Sequence, residues 1–328
     1  FFQIFRARRG SVVKNMGCLG SKSLTDSASD FEAVYKQIAL LGRGSFGDVV
    51  EAEHLKTGKR YAVKKMKITD KNRKMVDFEI DTLKKLNHPN IVNLVEVCKS
   101  ETQWCVVLEL CSGGDLHQKI SQKGPISELE SAHVMRQVIE AVMHMHSLGY
   151  CHRDLKPGNL ILCTNEAPYE VKVTDFGLTT DQAQPSDEQK GYHNVMATAT
   201  GTHEYTAPEV FLLEDEGSDS DDDGVTTKNQ IDTKYSAKVD VWALGAIAYT
   251  LLGGKHPFNF DEVARPVVLE RVIKCELSWK EEPWSNGSVS ALAIEFIKYS
   301  MNPDPKRRPT AGATRRHAWL AGGAAVSM

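Results

Sequence analysis

The six positions from Asp154 to Asn159, within the run HRDLKPGN, carry a carboxylate, an ammonium and an amide. A carboxylate can accept the proton of a hydroxyl group, and the ammonium of Lys156 can neutralise negative charge on a group in transfer. A second carboxylate, Asp175 in the run VTDFGL, follows apolar residues and precedes Phe176. Because a solvated acid has no local reason to lie there, Asp175 is also a candidate for chemistry.

Oxygen atoms at two of these positions suit a hard cation. Mg²⁺ takes oxygen ligands and usually binds through one or two protein groups together with substrate phosphates. Asp175 and the amide oxygen of Asn159 supply such ligands, which leaves Asp154 free to act as a base. The spacing therefore indicates magnesium-dependent phosphoryl transfer to a hydroxyl group, with Asn159 and Asp175 as the predicted metal ligands.

A glycine-rich turn lies upstream, where the run LGRGSFGDVV begins. Glycines let backbone N–H groups approach phosphates without obstruction from side chains. The same spacing opens dinucleotide-binding folds, but there a helix follows the last glycine, whereas here an apolar strand follows. The predicted phosphate-binding turn consists of Leu41, Gly42, Gly44, Ser45, Phe46 and Gly47.

Lys64 lies in the next predicted strand, in the run AVK, where it can reach nucleotide phosphates. It needs an opposite charge to hold it in place, and the candidate is Glu79 in the helical segment FEIDTLKKL. Lone lysines and glutamates are usually solvated surface residues. Because both of these residues have apolar neighbours, we expect an ion pair that positions Lys64.

Two kinds of pattern surround these residues. From Tyr35 onward, apolar residues alternate as in antiparallel strands, with one helical segment that ends before Pro89. Beyond Ser112 the pattern changes to longer helices, as in ELESAHVMRQVIEAVMHMHSLG. We therefore expect an α+β fold of two lobes that meet near Cys111: a small antiparallel sheet with one helix, and a larger, mainly helical lobe.

Composition narrows the classes of function. The 328 residues are 41% apolar and 25% charged, and their net charge of -3 gives no basic field for nucleic acid. The seven cysteines are scattered without a CxxC pair, so reduced thiols are expected rather than a zinc site or a disulfide framework. The longest apolar run, from Val241, is too short for a bilayer span and predicts a buried helix.

Taken together, these motifs resemble those of the eukaryotic protein kinases from about Tyr35 to Leu320. Their order matches the family: the glycine turn, AVK, a helix glutamate, HRDLKPGN, DFG, and APE at residues 207–209. The resemblance implies transfer of the γ-phosphate of ATP to serine or threonine hydroxyls of protein substrates, with ATP and Mg²⁺ bound. It also implies tails at residues 1–33 and 321–328 around a kinase domain at 34–320, with lobes 34–110 and 111–320.

The resemblance implies further roles around the nucleotide. Leu108 would be the gatekeeper, and the hinge backbone groups of Glu109 and Cys111 would bind adenine. Asp115 would face the ribose or a basic substrate residue. The implied nucleotide-binding residues, beyond the glycine turn, are Val49, Ala62, Lys64, Glu109, Cys111, Asp115, Asn159, Ile161 and Asp175.

Other implied roles lie outside the nucleotide site. The resemblance implies that Glu209 pairs with Arg308 and that Asp240 anchors the catalytic loop. His152 and Phe176 would belong to a stack of side chains that links the two lobes.

Details of the motifs indicate a subgroup. Lys156 followed by Pro157, and Thr202, are typical of serine/threonine kinases, and the run from Ser278 to Ala311 weakly resembles the calcium/calmodulin-regulated group. Gly158 and Thr250 stand where members that read substrate arginine carry acids, so a strong preference for arginine is not expected. His203 replaces a proline that is common at this position in the family, so the resemblance does not predict the conformation of the substrate-facing loop. The run DSDDDG lacks a glutamate at the twelfth position of a calcium loop, so no calcium site is expected.

Regulation is predicted in the segment before the APE motif. Arg153 precedes the catalytic aspartate, and kinases with this arginine often need a phosphate in the activation segment. Thr198 lies at the usual position and Thr200 is the second choice, and a phosphate there could pair with Arg153. The acidic insertion at residues 214–224 is either a solvated loop or a docking site for a basic partner.

The N-terminal region carries a lipidation pattern. MGCLGS, residues 16–21, matches the N-myristoylation motif, and Cys18 could take a second acyl group. The signal requires Gly17 to be N-terminal, yet 15 residues precede Met16, so a flexible tail and a membrane anchor are alternatives. We expect a cytoplasmic protein that associates with membranes only if Gly17 is acylated. The motifs do not indicate which regulatory partner the protein has.

Two other classes of function compete with an active kinase. A pseudokinase would bind nucleotide without catalysis, but Lys64, Glu79, Asp154, Asn159 and Asp175 are all present. A kinase of small molecules is disfavoured by the APE motif and Thr202. The predicted catalytic residues are Asp154, Lys156, Lys64 and Glu79.

Overall fold

The computed structural model describes residues 26–27, 31–44, 47–181, 203–215, 236–258 and 264–321. The strands are β1 (Asp26–Ser27), β2 (Tyr35–Gly44), β3 (Gly47–His54), β4 (Arg60–Lys67), β5 (Leu94–Lys99), β6 (Gln103–Glu109), β7 (Tyr150–Cys151), β8 (Leu160–Leu162), β9 (Val171–Val173) and β10 (Thr180–Asp181). The helices are α1 (Phe31–Val34), α2 (Arg73–Lys85), α3 (Leu116–Lys123), α4 (Glu128–Ser147), α5 (Pro208–Asp215), α6 (Ser236–Gly253), α7 (Arg265–Lys274), α8 (Ala291–Ser300), α9 (Ala311–Arg315) and α10 (Ala318–Ala321).

The first six strands form one sheet in the order β1-β5-β6-β4-β3-β2. Strands β2 to β6 pair antiparallel, whereas the two residues of β1 pair parallel with Val97 and Cys98 of β5. The predicted small antiparallel sheet is therefore confirmed for β2 to β6, and the parallel pair covers hydrogen-bonding groups at the edge of β5. The predicted α+β fold of two lobes is confirmed as well, because longer helices follow the sheet.

Helix α2 buries one face of an amphipathic segment. Val76, Glu79, Ile80 and Leu83 are buried, and their spacing of three or four residues places them on the same side of the helix. Two lysines in the last turn complement the negative end of the helix dipole. The buried stripe therefore holds an acid among apolar residues, and it positions Glu79 toward strand β4.

The helical lobe is built around α6. This helix is apolar on all sides, and Trp242, Leu244 and Ile247 are fully buried, which confirms the helix predicted from Val241. Helices α4 and α8 pack against it. Ser127 caps the start of α4 by accepting a hydrogen bond from the backbone N–H of Glu130. No helix among the described residues has the length and apolar character needed to cross a membrane.

Short strands position the two motifs that carry the chemistry. Strand β8 pairs antiparallel with β9, and β10 pairs antiparallel with β7. The HRDLKPGN run therefore connects β7 to β8, and the DFG run connects β9 to β10. Arg153 and Asp175 have φ angles of 67° and 65°, in the left-handed region that residues other than glycine rarely adopt. Such backbone strain is found where the surrounding structure over-determines a functional position.

Candidate active site

A cavity between the sheet and the helical lobe contains residues from both. The lining residues that the sequence predicts are Gly47, Val49, Ala62, Lys64, Glu79, Leu108, Glu109, Cys111, Asp115, Asp154, Lys156, Asn159, Ile161 and Asp175. These residues come from eight separate segments of the chain, so only the folded structure brings them together. The mixture of apolar walls and a few charged groups is typical of small-molecule sites.

Part of the predicted glycine turn lies away from this lining. Leu41, Gly42 and Gly44 belong to β2 and are not among the residues that line the cavity. Gly44 pairs with Gly47 across the turn, and Gly47 has a φ of 140° and does line the cavity. The predicted residues 45 and 46 lie outside the described part of the chain.

Lys64 is, with Lys156, one of the two lysines that line the cavity. Its Nζ lies 2.6 Å from Oε1 of Glu79 and 3.4 Å from Oδ1 of Asp175. Burial alone lowers the pKa of Lys64, but the two carboxylates outweigh this effect and hold the pKa above its ordinary value. The lysine is therefore charged at neutral pH, and it joins a strand, a helix and the DFG run.

The HRDLKPGN run holds Asp154 through its neighbours in the sequence. Asn159 Nδ2 donates hydrogen bonds to the backbone oxygen of Asp154 at 2.7 Å and to its Oδ2 at 3.0 Å. Lys156 Nζ lies 2.9 Å from the same Oδ2. The turn Pro157–Asn159 brings these groups together because it is a tight 3-10 turn that reverses the chain before β8.

The oxygen ligands predicted for Mg²⁺ fit such an ion. Because both amide hydrogens of Asn159 point toward Asp154, its Oδ1 faces away, and this buried oxygen has no hydrogen-bond partner among the described residues. Burial alone raises the pKa of Asp175, but Lys64, His152 and Lys156 outweigh it and hold the pKa below its ordinary value. An ionised carboxylate and an unpaired amide oxygen are ligands that Mg²⁺ accepts.

Asp240 of α6 anchors the run that contains the candidate base. Its carboxylate accepts hydrogen bonds from the backbone N–H groups of His152 at 2.9 Å and Arg153 at 2.8 Å. His146 Nε2 and Cys151 Sγ contact the same side chain at 2.8 and 3.2 Å. Burial alone raises the pKa of Asp240, but hydrogen bonding and charge, from His146 first, hold the pKa below its ordinary value. The anchoring contact predicted for Asp240 is therefore present.

Two further predicted contacts are found in the helical lobe. Arg308, which is fully buried, binds Glu209 through two hydrogen bonds of 2.7 and 2.8 Å. The rings of His152 and Phe176 lie 5.3 Å apart, as expected for neighbours in a stack. The first contact ties the end of the activation segment to the helical lobe, and the second ties the DFG run to the candidate catalytic loop.

Asp115 has a structural use that the sequence reasoning missed. Its Oδ1 accepts the backbone N–H of Gln118 at 2.8 Å and so caps α3, while the residue also lines the cavity. Burial raises the pKa of Asp115 above its ordinary value. A contact with ribose or with a basic substrate residue stays a prediction.

Several apolar lining residues were not identified from the sequence as part of the site. They are Leu83, Val92, Val106, Leu110 and Leu178, together with Thr174. No local signal separates Leu83, Val92, Val106 and Leu110 from the rest of the core. Thr174 and Leu178 flank the DFG residues in the run VTDFGL, which was the signal that could have identified them. The predictions on Thr198, Thr200, Thr202, the acylation motif and residues 216–224 lie outside the described residues.

Comparisons with known proteins agree with this geometry. Residues 35–320 match the family model described as protein kinase domain. Serine/threonine-protein kinase H1 of Homo sapiens is 36% identical over 296 residues, which cover 90% of this chain and 63% of that protein. The chain therefore spans somewhat less than two thirds of the length of the H1 kinases. Myosin light chain kinase A of Dictyostelium discoideum is 35% identical, with 89% of this chain and 90% of that protein covered.

Two further similarities place the chain within the family. Calcium/calmodulin-dependent protein kinase type 1B of Homo sapiens is 34% identical over 91% of this chain and 78% of that protein. The crystal structure of Rad53 1-466 in complex with AMP-PNP superposes with a TM-score of 0.69 at 28% identity, covering 87% of this chain and 65% of that one. The chain belongs to the eukaryotic protein kinase family, and within it resembles the calcium/calmodulin-dependent serine/threonine kinases.

Proposed function

We propose that the protein is an active serine/threonine kinase, which transfers the γ-phosphate of ATP to hydroxyl groups of protein substrates. The observation that carries this proposal is the presence of Lys64, Asp154 and Asp175 in one cavity, with Lys64 bridging Glu79 and Asp175. Phosphoryl transfer depends almost entirely on positioning and on stabilisation of charge. The side chains of this cavity supply both.

Asp154 is the proposed base. Its carboxylate would accept the proton of the substrate hydroxyl as that oxygen attacks the phosphorus. One hydrogen bond from Asn159 Nδ2 orients the carboxylate through Oδ2, and a second from the same nitrogen holds the backbone oxygen of Asp154. Lys156, which lies beside the same carboxylate oxygen, would neutralise negative charge on the phosphoryl group during transfer.

The nucleotide would lie across the two lobes. Apolar side chains of Val49, Ala62 and Ile161 line the part of the cavity next to Glu109 and Cys111, and they suit the faces of an adenine ring. Lys64 would bind phosphate oxygens. Asn159 and Asp175 would hold Mg²⁺, which supplies neutralisation of charge on the phosphates when it is bound.

The regulatory and cellular parts of the proposal rest on motifs outside the described residues. We infer that phosphorylation of Thr198 raises activity, and that the protein acts in signalling in the cytoplasm. We also infer that acylation attaches it to membranes where Gly17 is the N-terminal residue. Intact-mass analysis of the protein expressed in its own cells, with and without phosphatase, tests both modifications.

The test of the proposed reaction uses ATP labelled in its γ-phosphate and a generic basic acceptor protein. We expect the wild type to yield labelled phosphoserine or phosphothreonine. Asp154→Asn should lower the rate by roughly 100-fold or more, as is typical for loss of a general base, while the affinity for ATP stays unchanged. Asp81→Asn, an acid-to-amide change at a side chain on α2 that is 65% exposed, should keep the wild-type rate. Equal labelling by the wild type and by Asp154→Asn would contradict the proposal.

A further inference from the structure

The sheet of the smaller lobe buries side chains on both of its faces. Its inner face contributes to the lining of the cavity, and its outer face carries a separate cluster of buried residues, which are Phe31, Tyr35, Val50, Ala52, Val63, Cys98, Cys105 and Val107. Side chains alternate between the two faces along a strand, so Val50 on the outer face is next to Val49 in the cavity lining. Val63 is next to Ala62 in the same way. The same strands therefore connect the outer cluster to the cavity.

Phe31 is the member of this outer cluster that precedes strands β2 to β6. It is the first residue of α1 and is only 6% exposed. The residue lies before position 35, where the match to the protein kinase domain begins, and within the predicted tail at residues 1–33. The smaller lobe therefore packs on a side chain from outside the matched domain.

The ring of Phe31 contacts two side chains on the outer face. It stacks on the ring of Tyr35, with the centroids 5.4 Å apart and an angle of 13° between the planes. The ammonium of Lys65 lies over the Phe31 ring, 4.5 Å from its centroid, which is within the range of a cation–π interaction. The same ammonium donates a hydrogen bond of 2.9 Å to Oε1 of Gln37. Phe31 is therefore in contact with β2 through Tyr35 and with β4 through Lys65.

Tyr35 extends these contacts across the sheet. Its ring lies 5.2 Å from the ring of His54 in β3 and 5.9 Å from that of Tyr61 in β4, both edge to face. Its hydroxyl group donates a hydrogen bond to Oε1 of Glu96 in β5. The stack of Phe31 on Tyr35 thus reaches four strands of the sheet.

Lys65 links Phe31 to the cavity. Lys65 and Lys64 are neighbours in β4, so their side chains lie on opposite faces of the sheet. On the outer face, Lys65 contacts Phe31 and also Gln37 of β2, the strand that ends at the glycine turn. On the inner face, Lys64 contacts Glu79. Phe31 therefore holds, from the outer face, the strands that carry Lys64 and the glycine turn.

We propose that Phe31 is a positioning residue for ATP: its packing on the outer face fixes the positions of Lys64 and of the glycine turn, which bind the phosphates. This inference rests on the proposed function, in which Lys64 binds phosphate oxygens. Asp154 and Lys156 lie in the helical lobe, on the loop that Asp240 anchors, and so keep their positions when the outer cluster is disturbed. Loss of the Phe31 ring should therefore weaken ATP binding and leave kcat unchanged.

The experiment measures the dissociation constant of ATP by titration calorimetry, and KM for ATP and kcat by steady-state kinetics, on the full chain. Phe31→Leu keeps most of the apolar volume but loses both contacts of the ring. We expect it to raise the dissociation constant and KM by roughly three- to ten-fold, with kcat unchanged. Phe31→Tyr keeps the ring and should bind ATP as the wild type does.

The matched control is Phe296→Leu, the same substitution at a fully buried ring of α8 in the helical lobe, outside the cavity lining. Thermal unfolding of each variant gives the fraction that is folded in the assays. Phe296→Leu should lower the unfolding temperature and leave the dissociation constant of ATP unchanged. An equal rise in the dissociation constant in both variants would mean that a general loss of stability weakens ATP binding, and it would overturn the proposal.

Lys65→Met provides a second test, which leaves the buried cluster intact. It keeps an apolar side chain of similar length and loses the contacts of the ammonium with Phe31 and Gln37, so we expect KM for ATP to rise here as well. The double variant with Phe31→Leu should be no worse than Phe31→Leu alone, because both changes remove the same contact. Fully additive losses would mean that Lys65 affects ATP through its charge alone, which would overturn the link between Phe31 and the cavity.

Calorimetry needs no phosphate transfer, so it separates failure of this proposal from failure of the proposed function. A wild type that binds ATP but transfers no phosphate would contradict the proposed function, and the proposal would still require weaker binding by Phe31→Leu. Phe31→Leu with the ATP affinity of the wild type would overturn the proposal. A fall in kcat at saturating ATP, with an unchanged dissociation constant, would do the same.

Discussion

Lys64 and Asp240 show how single residues link segments that are distant in the sequence. Lys64 joins β4 to α2 and to the DFG run, with its side chain only 13% exposed and that of Glu79 only 4% exposed. A buried ion pair contributes less to stability than its distance suggests, because both charges lose water. The ion pair therefore serves mainly to position the Lys64 ammonium, which in the proposed function binds phosphate oxygens.

Asp240 supports a pH-dependent prediction. Its pKa in the folded protein lies below the ordinary value of 3.8, so its contribution to stability is fully present above that value and is lost as pH falls through the folded pKa. Asp240→Asn should therefore lower the free energy of unfolding by about 3 kcal/mol at neutral pH, and the difference from wild type should shrink below pH 3.8. Urea unfolding of both proteins between pH 3 and pH 7 measures this difference in the free energy of unfolding.

The control for this experiment is an exposed acid. Asp81→Asn removes a carboxylate from a side chain that is 65% exposed, and a surface ion pair of this kind contributes little at any pH. A constant difference between Asp240→Asn and wild type across the pH range would mean that the charge of Asp240 does not hold the loop.

Helix α2 is tied to the candidate catalytic loop through one aromatic residue. Tyr150, in β7 directly before Cys151 and His152, receives a hydrogen bond of 3.0 Å from Lys85 Nζ at the end of α2. Its ring also lies 6.3 Å from that of Phe78, the neighbour of Glu79. Tyr150 thus contacts α2 at two points, two turns apart, and one of them is next to Glu79.

Removal of the hydroxyl group tests this link between elements. Tyr150→Phe keeps the ring contact and loses the hydrogen bond, so we expect kcat/KM for ATP to fall by roughly two- to ten-fold with little change in the folded fraction. Lys85→Met should have the same effect, and the double variant should be no worse than either single variant. Steady-state kinetics and thermal unfolding of the four proteins provide the measurement. Additive losses in the double variant would show that the two residues act independently.

The elements differ in how far the sequence predicts them. Helix α6 follows from a continuous apolar run, strands β3 and β4 follow from alternating apolar residues, and Asp154, Asn159 and Asp175 follow from motif spacing. The sequence does not predict the position of Leu41. Register shifts between Gln37 and Ala39 and between Leu40 and Gly42 change which face of the sheet each β2 residue occupies. Pairing of β1 with β5 and the contact of Tyr150 with α2 also depend on long-range packing, which leaves no periodic signal.

At the scale of the whole molecule, both lobes contribute residues to the site. The sheet and α2 contribute Lys64 and Glu79, whereas the helical lobe contributes Asp154 and Asn159 on a loop anchored by Asp240. Asp175 lies between them and contacts Lys64. A change in the relative position of the lobes therefore changes the distance between the phosphate-binding lysine and the base, which is how a kinase couples regulation to chemistry.

The proposed mechanism depends on the claim that Asp154 is the base and that Asp175 is a metal ligand. The most direct measurement is the affinity for ATP with and without Mg²⁺, by titration calorimetry, of the wild type, Asp154→Asn and Asp175→Asn. We expect Mg²⁺ to strengthen ATP binding equally in the wild type and in Asp154→Asn, and this gain to be lost in Asp175→Asn, because Asp175 is the proposed metal ligand of the two aspartates. The same gain in Asp175→Asn as in the wild type would contradict the convergence of Lys64, Asp154 and Asp175 on a magnesium-bound nucleotide.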